Sequence, residues 1–216
     1  MRKTPAYTTT DEEEVKRLIR ENPWMTYVSN TSNGLIASHY ATLLEEDADG
    51  ISIVSHFGRP DEQLHELGQH EMLVIAQGPH GYISPGWYAE GDFVPTWNHV
   101  TAHLYGTPEI LSDDENFTIL QRLVDHFEAP MPQPVSLDYD EVRARRIAKG
   151  TVGLRIRVER IDARLKLSQN KLPEVRATII DALRGGGPYA HPGLAEEMQR
   201  VEVERPESPE SPESPE

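Results

Sequence analysis

Between Leu73 and Gly106 the chain concentrates side chains that can do chemistry. Two of its three tryptophans, Trp87 and Trp97, stand there with Tyr82, Tyr88, Tyr105, His80, His99 and His103. Aromatic faces and imidazoles, on a backbone stiffened by Pro79, Pro85 and Pro95, suit a flat ligand stacked on one face and hydrogen-bonded at its edge. The same residues suit an aromatic core with a few buried histidines equally well. The prolines argue against a regular central strand throughout. His99 and His103, four apart on a strand, would stand roughly 13 Å from each other, too far to share a metal. His65 and His70 make no better pair, so no zinc site is expected. No nucleophile elbow, P-loop or dinucleotide fingerprint occurs. With no cysteine in the chain, disulfides and thiolate chemistry are excluded.

The elements that must position these groups read mostly as strands. Thr10 to Glu13 has the T-x-x-E form of a capping box, opening a helix whose apolar face is Val15, Leu18 and Ile19 and which Pro23 stops. Trp24–Asn30 and Leu35–Leu44 read as a hairpin about Asn33-Gly34, and Ile51–His56 as the next strand after the turn Asp47–Gly50. Pro60 suits the first turn of a helix over 61–68. Strands follow over 70–77 and Val100–Leu111. Ser112–Glu115 is a second capping box, with Phe117, Leu120, Val124 and Phe127 at helical spacing behind it. Pro130, Pro132 and Pro134 form a stiff connector to a helix over Asp138–Lys149. Thr151–Ile161 alternates clearly enough for one long half-buried strand. Pro173–Leu183 is the last helix expected, ended by Gly185–Gly187. Residues 1–187 are therefore expected to form one domain, and 188–216 a disordered acidic tail rich in Pro, Ser and Glu.

The net charge is −15 over 216 residues, and eight Glu and two Arg in residues 196–216 supply −6 of it. An acidic body argues against direct DNA binding through a broad basic face. Arg143–Arg146 is the one dense basic segment, more often a solvated helix face. No apolar run reaches membrane-spanning length and no apolar signal region opens the chain, so a cytoplasmic protein is expected.

GPHGYISPGWY at 78–88, followed by VPTWNHVTAH at 94–103, resembles the PaiB-type family, described as FMN-binding negative transcriptional regulators. Glu21-Asn-Pro23, Gly34–His39 and Lys166-Leu-Ser-Gln-Asn170 match in the same order, over about residues 5–185. The resemblance implies a mainly β, α+β fold: a six-stranded antiparallel split barrel with flanking helices. It implies a homodimer binding FMN at the subunit interface, with a repressor-like or oxidoreductase role. Haem and a cofactor-free state are the alternatives. Here the segment after His56 is shorter, reading Phe57-Gly-Arg59-Pro60, and His99 and Gly86 depart from the family pattern.

FMN needs a cation and N–H donors at its phosphate, and Arg59, Ser55 and His56 beside a helix start can supply them. The ring needs donors at its carbonyls and an acceptor at N3–H. Thr96, Asn98 and Gln169 carry such groups, with Ser38, His39, Ser168 and Asn170 nearby in the matched motifs. Trp97 or Trp87 would stack on the ring, and Lys166 would place positive charge near N1. His80, Tyr82, Trp87, Tyr88 and His103 are expected on a substrate-side lip.

Overall fold

The structure is a computed structural model that describes residues 4–46, 49–88 and 94–203. Its strands are β1 (Thr8–Thr9), β2 (Trp24–Thr31), β3 (Gly34–Leu44), β4 (Ser52–Gly58), β5 (Met72–Ile83), β6 (Thr96–Gly106), β7 (Glu109–Ile110), β8 (Thr151–Arg157) and β9 (Arg160–Lys166). Its helices are α1 (Glu12–Glu21), α2 (Asp61–Leu64), α3 (Asp113–Glu128), α4 (Glu141–Ala148), α5 (Pro173–Arg184) and α6 (Pro192–Val203). The described strands make one sheet of nine, in the order β1-β9-β6-β5-β2-β3-β4-β8-β7. The expected six strands are too few. The surplus includes the two-residue strands β1 and β7, which no periodicity marks, and the division of one expected strand into two.

That division falls after Arg157. Alternation continues through Val158, but there the backbone leaves the ladder: Val158 N–H donates to the Ile51 carbonyl and Glu159 N–H to that of Tyr105. Strand β5 shows the opposite error, running past Pro79 to Ile83. Its pairing with β2 ends at Thr26↔Ile75. Pro79 lies beyond that edge, where its missing N–H removes no bond to β2.

The chain divides into two units. Thr9–Gly78 and Thr101–Ala163 form the first. The β2–β3 hairpin closes as expected, Thr31 opposite Gly34, with Gly34 at φ +106°. Buried Tyr27 meets the Thr42 hydroxyl at 2.6 Å and the edge of Phe57 at 5.2 Å, and Phe57 stacks on Tyr40 at 4.3 Å. Burial pushes the Tyr27 phenol up to about 12. Helix α1 buries Val15, Leu18 and Ile19 as its spacing requires. Its cap is Asp11 rather than Thr10, because the Asp11 carboxylate accepts from the N–H groups of Glu13 and Glu14. The Ser112–Glu115 capping box forms in full. It opens α3, which seats Ile119 and Leu123 on Val54 of β4 and Leu111. Gly153 admits this helix: a Cβ there would lie 2.9 Å from the Asn116 Cα. The expected helix over Asp138–Lys149 is a 3-10 turn, Leu137–Asp140, leading into α4.

The second unit comprises Pro79–Val100 and residues 164–203, with residues 4–8. Helices α5 and α6 pack together in it. Here the expectation of disorder from residue 188 fails, since Pro192–Val203 is helical and buries Leu194, Ala195, Met198 and Val201. Those positions recur at helical spacing and supply an apolar stripe for α5 to cover. Residues 204–216, the rest of the expected tail, lie outside the described residues.

Candidate functional site

In the second unit the start of β6 and the end of β9 meet. The Lys166 ammonium donates to the Thr96 hydroxyl, across 70 residues of sequence. Two positions on, the Asn98 amide, fully buried, donates to the Ser168 hydroxyl at 2.9 Å and approaches the Met198 sulfur at 3.4 Å. Ser168 takes a left-handed backbone, φ +59°, costly for a residue with a Cβ. The Gln169 carboxamide donates to the Leu165 carbonyl at 2.5 Å and accepts from the Leu167 N–H at 2.8 Å. The Lys166–Asn170 motif thus builds a locked turn, with Lys166 at its edge, Asn170 exposed, and Asn98, Ser168 and Gln169 spent on holding it. From α5 the buried guanidinium of Arg176 braces the same turn through the Leu167 carbonyl at 2.7 Å. Sequence reading missed Arg176, because an arginine on an amphipathic helix carries no mark of burial.

Trp97 does not share the side of Thr96 and Asn98. Consecutive strand residues project to opposite faces, and Trp97 is 56% exposed where Asn98 is fully buried. Trp97 stacks at 26° on His80, 6.3 Å between centroids, and meets the edge of Tyr82 at 6.4 Å. Tyr82 in turn lies 4.9 Å from Tyr189. These rings form an aromatic wall, and Tyr189 is a member no motif announced. Trp87 sits half-buried in a 3-10 turn, Pro85–Trp87. The Tyr88 hydroxyl is buried without a partner, and the Lys171 ammonium lies 4.5 Å over its ring. Burial, then the charges of Arg164, Lys166 and His80, holds the His99 imidazole below its usual pKa.

In the first unit His65 is buried and bridges two serines: Nδ1 meets the Ser29 hydroxyl at 2.8 Å and Nε2 that of Ser38 at 3.0 Å. The Ser38 hydroxyl is thereby oriented by a residue the motifs did not include. His39 is exposed and stacks on Trp24 at 6.5 Å. The Ser55 hydroxyl is buried and donates to the Ala41 carbonyl at 2.7 Å. Arg59 donates to the Glu62 carboxylate at 3.1 Å and to the Lys149 carbonyl at 3.2 Å. His56 keeps a buried Nδ1 without a partner, and burial lowers its pKa. Burial also lowers that of His103, which meets the edge of Tyr105 at 6.4 Å. Among the described residues no cluster of histidine and carboxylate side chains is arranged to hold a metal ion.

The donor set fits a flavin ring in chemistry: an ammonium and a hydroxyl for carbonyl and N1 groups, and a solvent-facing indole for a flat face. At the phosphate end, Arg59 is already paired with Glu62.

A mainly antiparallel sheet with flanking helices defines the class, the split-barrel flavin-binding fold. The FAD and haem binding protein of Mycobacterium smegmatis shares it with a TM-score of 0.57 and 18% identity, over 84% of this chain and 81% of that one. The flavocytochrome Anf3 of Azotobacter vinelandii does so with a TM-score of 0.55 and 12% identity, over 73% of this chain and 68% of that one. Within that class, residues 1–160 match the family described as "Putative FMN-binding domain". The protease synthase and sporulation protein PAI 2 of Bacillus subtilis is 33% identical over 180 residues, 81% of this chain and 85% of that protein. The chain belongs to this PaiB-type FMN-binding family. No helix among the described residues is long and apolar enough to cross a membrane.

Proposed function

We propose that this protein binds FMN as a homodimer and acts through the flavin, as an oxidoreductase or as a flavin-dependent regulator. The observation that carries the reading is the pairing of Lys166 with Thr96 in a chain of an FMN-binding family. A cation and a hydroxyl fixed to each other are preorganised donors for the carbonyl and N1 edge of a flavin. The exposed Trp97 offers a flat face in the same unit. A bound flavin would supply one- and two-electron transfer at its ring. This chain's part is to orient the ring and to set the charge beside it.

A regulatory effect through direct DNA contact has little support from a chain of net charge −15. It would run through a small molecule or a protein partner. Haem is the second reading, supported by the haem-binding likenesses and by His99, a half-buried imidazole kept neutral and so suited to ligating iron.

The visible spectrum of the purified protein tests these readings. Bands at about 370 and 450 nm belong to an oxidised flavin. A Soret band would replace the flavin reading with haem. A protein that takes up neither cofactor on titration would sink both.

A further inference from the structure

The first unit carries a groove of about 560 Å³. Residues of α3, of the segment between α3 and α4, and of α4 line it, with His56 and Thr151. Leu120 and Val124 from α3, Leu137 and Tyr139 from the 3-10 turn, and Ile147 from α4 make its walls apolar. Of these, Tyr139 is 77% and Ile147 64% exposed, unusual for large apolar side chains this close together.

His56, Ser136, Asp140, Arg143 and Thr151 break the apolar lining with polar or charged groups. The Asp140 carboxylate is engaged by the helix start, where it accepts from the Arg143 backbone N–H at 3.0 Å. His56 presents a buried Nδ1 that has no hydrogen-bond partner. Either tautomer leaves that atom able to make one hydrogen bond, as donor or acceptor. Arg143 also lines the groove, and its guanidinium makes no ion pair or hydrogen bond among the described residues. Its neighbour on α4, Arg145, is by contrast held by Glu141 at 2.6 Å and Asp114 at 2.9 Å. Pockets of this size, mostly apolar with a few polar groups, bury most of a small organic molecule.

We propose that this groove binds a small organic anion with an aromatic or branched apolar body. Its acidic group pairs with Arg143, its body lies on Leu120, Val124 and Ile147, and a polar atom of it meets His56 Nδ1. The proposal does not rest on the flavin reading. It assigns a second ligand to the protein, through a surface that the flavin motifs do not include apart from His56.

The test uses the full chain with 4-phenylbutyrate as the probe and its neutral counterpart 4-phenylbutanol, by calorimetric titration in the presence and absence of saturating FMN. The acid is expected to bind about tenfold tighter than the alcohol, the margin of a charge-assisted bond. Arg143→Glu should abolish that margin and leave the alcohol unaffected. Ala144→Phe, which fills the groove, should weaken both. Should Ala144→Phe fail to fold, Arg143→Glu, an exposed change, remains decisive. No binding to the wild-type chain, equal affinity for acid and alcohol, or an unaltered margin in Arg143→Glu would overturn the proposal. So would displacement of the acid by FMN, which would make the groove the flavin's own.

Discussion

The buried guanidinium of Arg176 donates to the backbone carbonyl of Met198 at 2.8 Å, tying α5 to α6. The Met198 side chain is itself fully buried, beside the Asn98 amide. Helix α6 is therefore part of the second unit's core. Ending the chain at residue 190 should strip cover from that core and leave Arg176 short of an acceptor. Loss of the Leu194, Met198 and Val201 contacts should cost about 4 kcal/mol or more, read from urea unfolding midpoints. Removing only 204–216, an acidic repeat with little apolar surface, should leave the midpoint unchanged. An intact midpoint in the shorter chain would show that α6 contributes nothing.

The fate of α6 marks where sequence reading stops. Leu194, Ala195, Met198 and Val201 do recur at helical spacing, and Pro192 is placed as a first helical residue. Between Gly185–Gly187 and a Pro-Ser-Glu repeat, however, composition outweighs a stripe so short. The β2–β3 hairpin was legible because alternation and Asn33-Gly34 agreed. The break after Arg157 was not, since alternation reports a face and says nothing of a ladder's end. At the site, the motif residues could be named one by one. That Lys166 meets Thr96, and that Asn98, Ser168 and Gln169 serve the turn, depends on contacts made across the fold or within a turn that no spacing encodes.

His65 gives a pH dependence. Burial lowers its pKa, with the charge of Asp61 partly opposing. In the unfolded chain the imidazole titrates at about 6.5. Above that value it is neutral in both states and stability does not depend on it. As pH falls through about 6.5 the unfolded chain takes up a proton that the folded one resists, so stability declines down to the lowered folded pKa. His56, His99 and His103 are shifted in the same direction and add to the slope. Urea midpoints between pH 8 and 5 should fall on acidification, and His65→Gln should flatten the fall. A rising midpoint would contradict the sign.

Arg59 is the candidate phosphate cation, although Glu62 already holds it and its side chain is 46% exposed. Its contribution should therefore sit at the low end for a charged hydrogen bond, about 1.5 kcal/mol or tenfold. Arg59→Gln is expected to weaken FMN by that factor and to leave riboflavin, which has no phosphate, unchanged. Equal losses for the two ligands would show a structural effect instead, and no loss would exclude the role.

Trp97 and Trp87 can be separated by fluorescence. Trp97 is 56% exposed and held nearly parallel to His80, so its ring is fixed while much of it faces solvent. Trp87 is half-buried in its turn, where its backbone N–H donates to the Ser84 carbonyl at 3.1 Å. A flavin stacked on an indole quenches its emission and gains about 1 kcal/mol from the ring contact. Flavin titration should therefore quench the wild-type protein strongly. Trp97→Phe should remove the largest part of that quench, and Trp97→Ala should weaken flavin about fivefold. Trp87→Phe should keep both the quench and the affinity. If Trp87→Phe loses the quench and Trp97→Phe retains it, the stacking face lies on the 3-10 turn, and the wall of His80, Tyr82, Trp97 and Tyr189 serves another ligand.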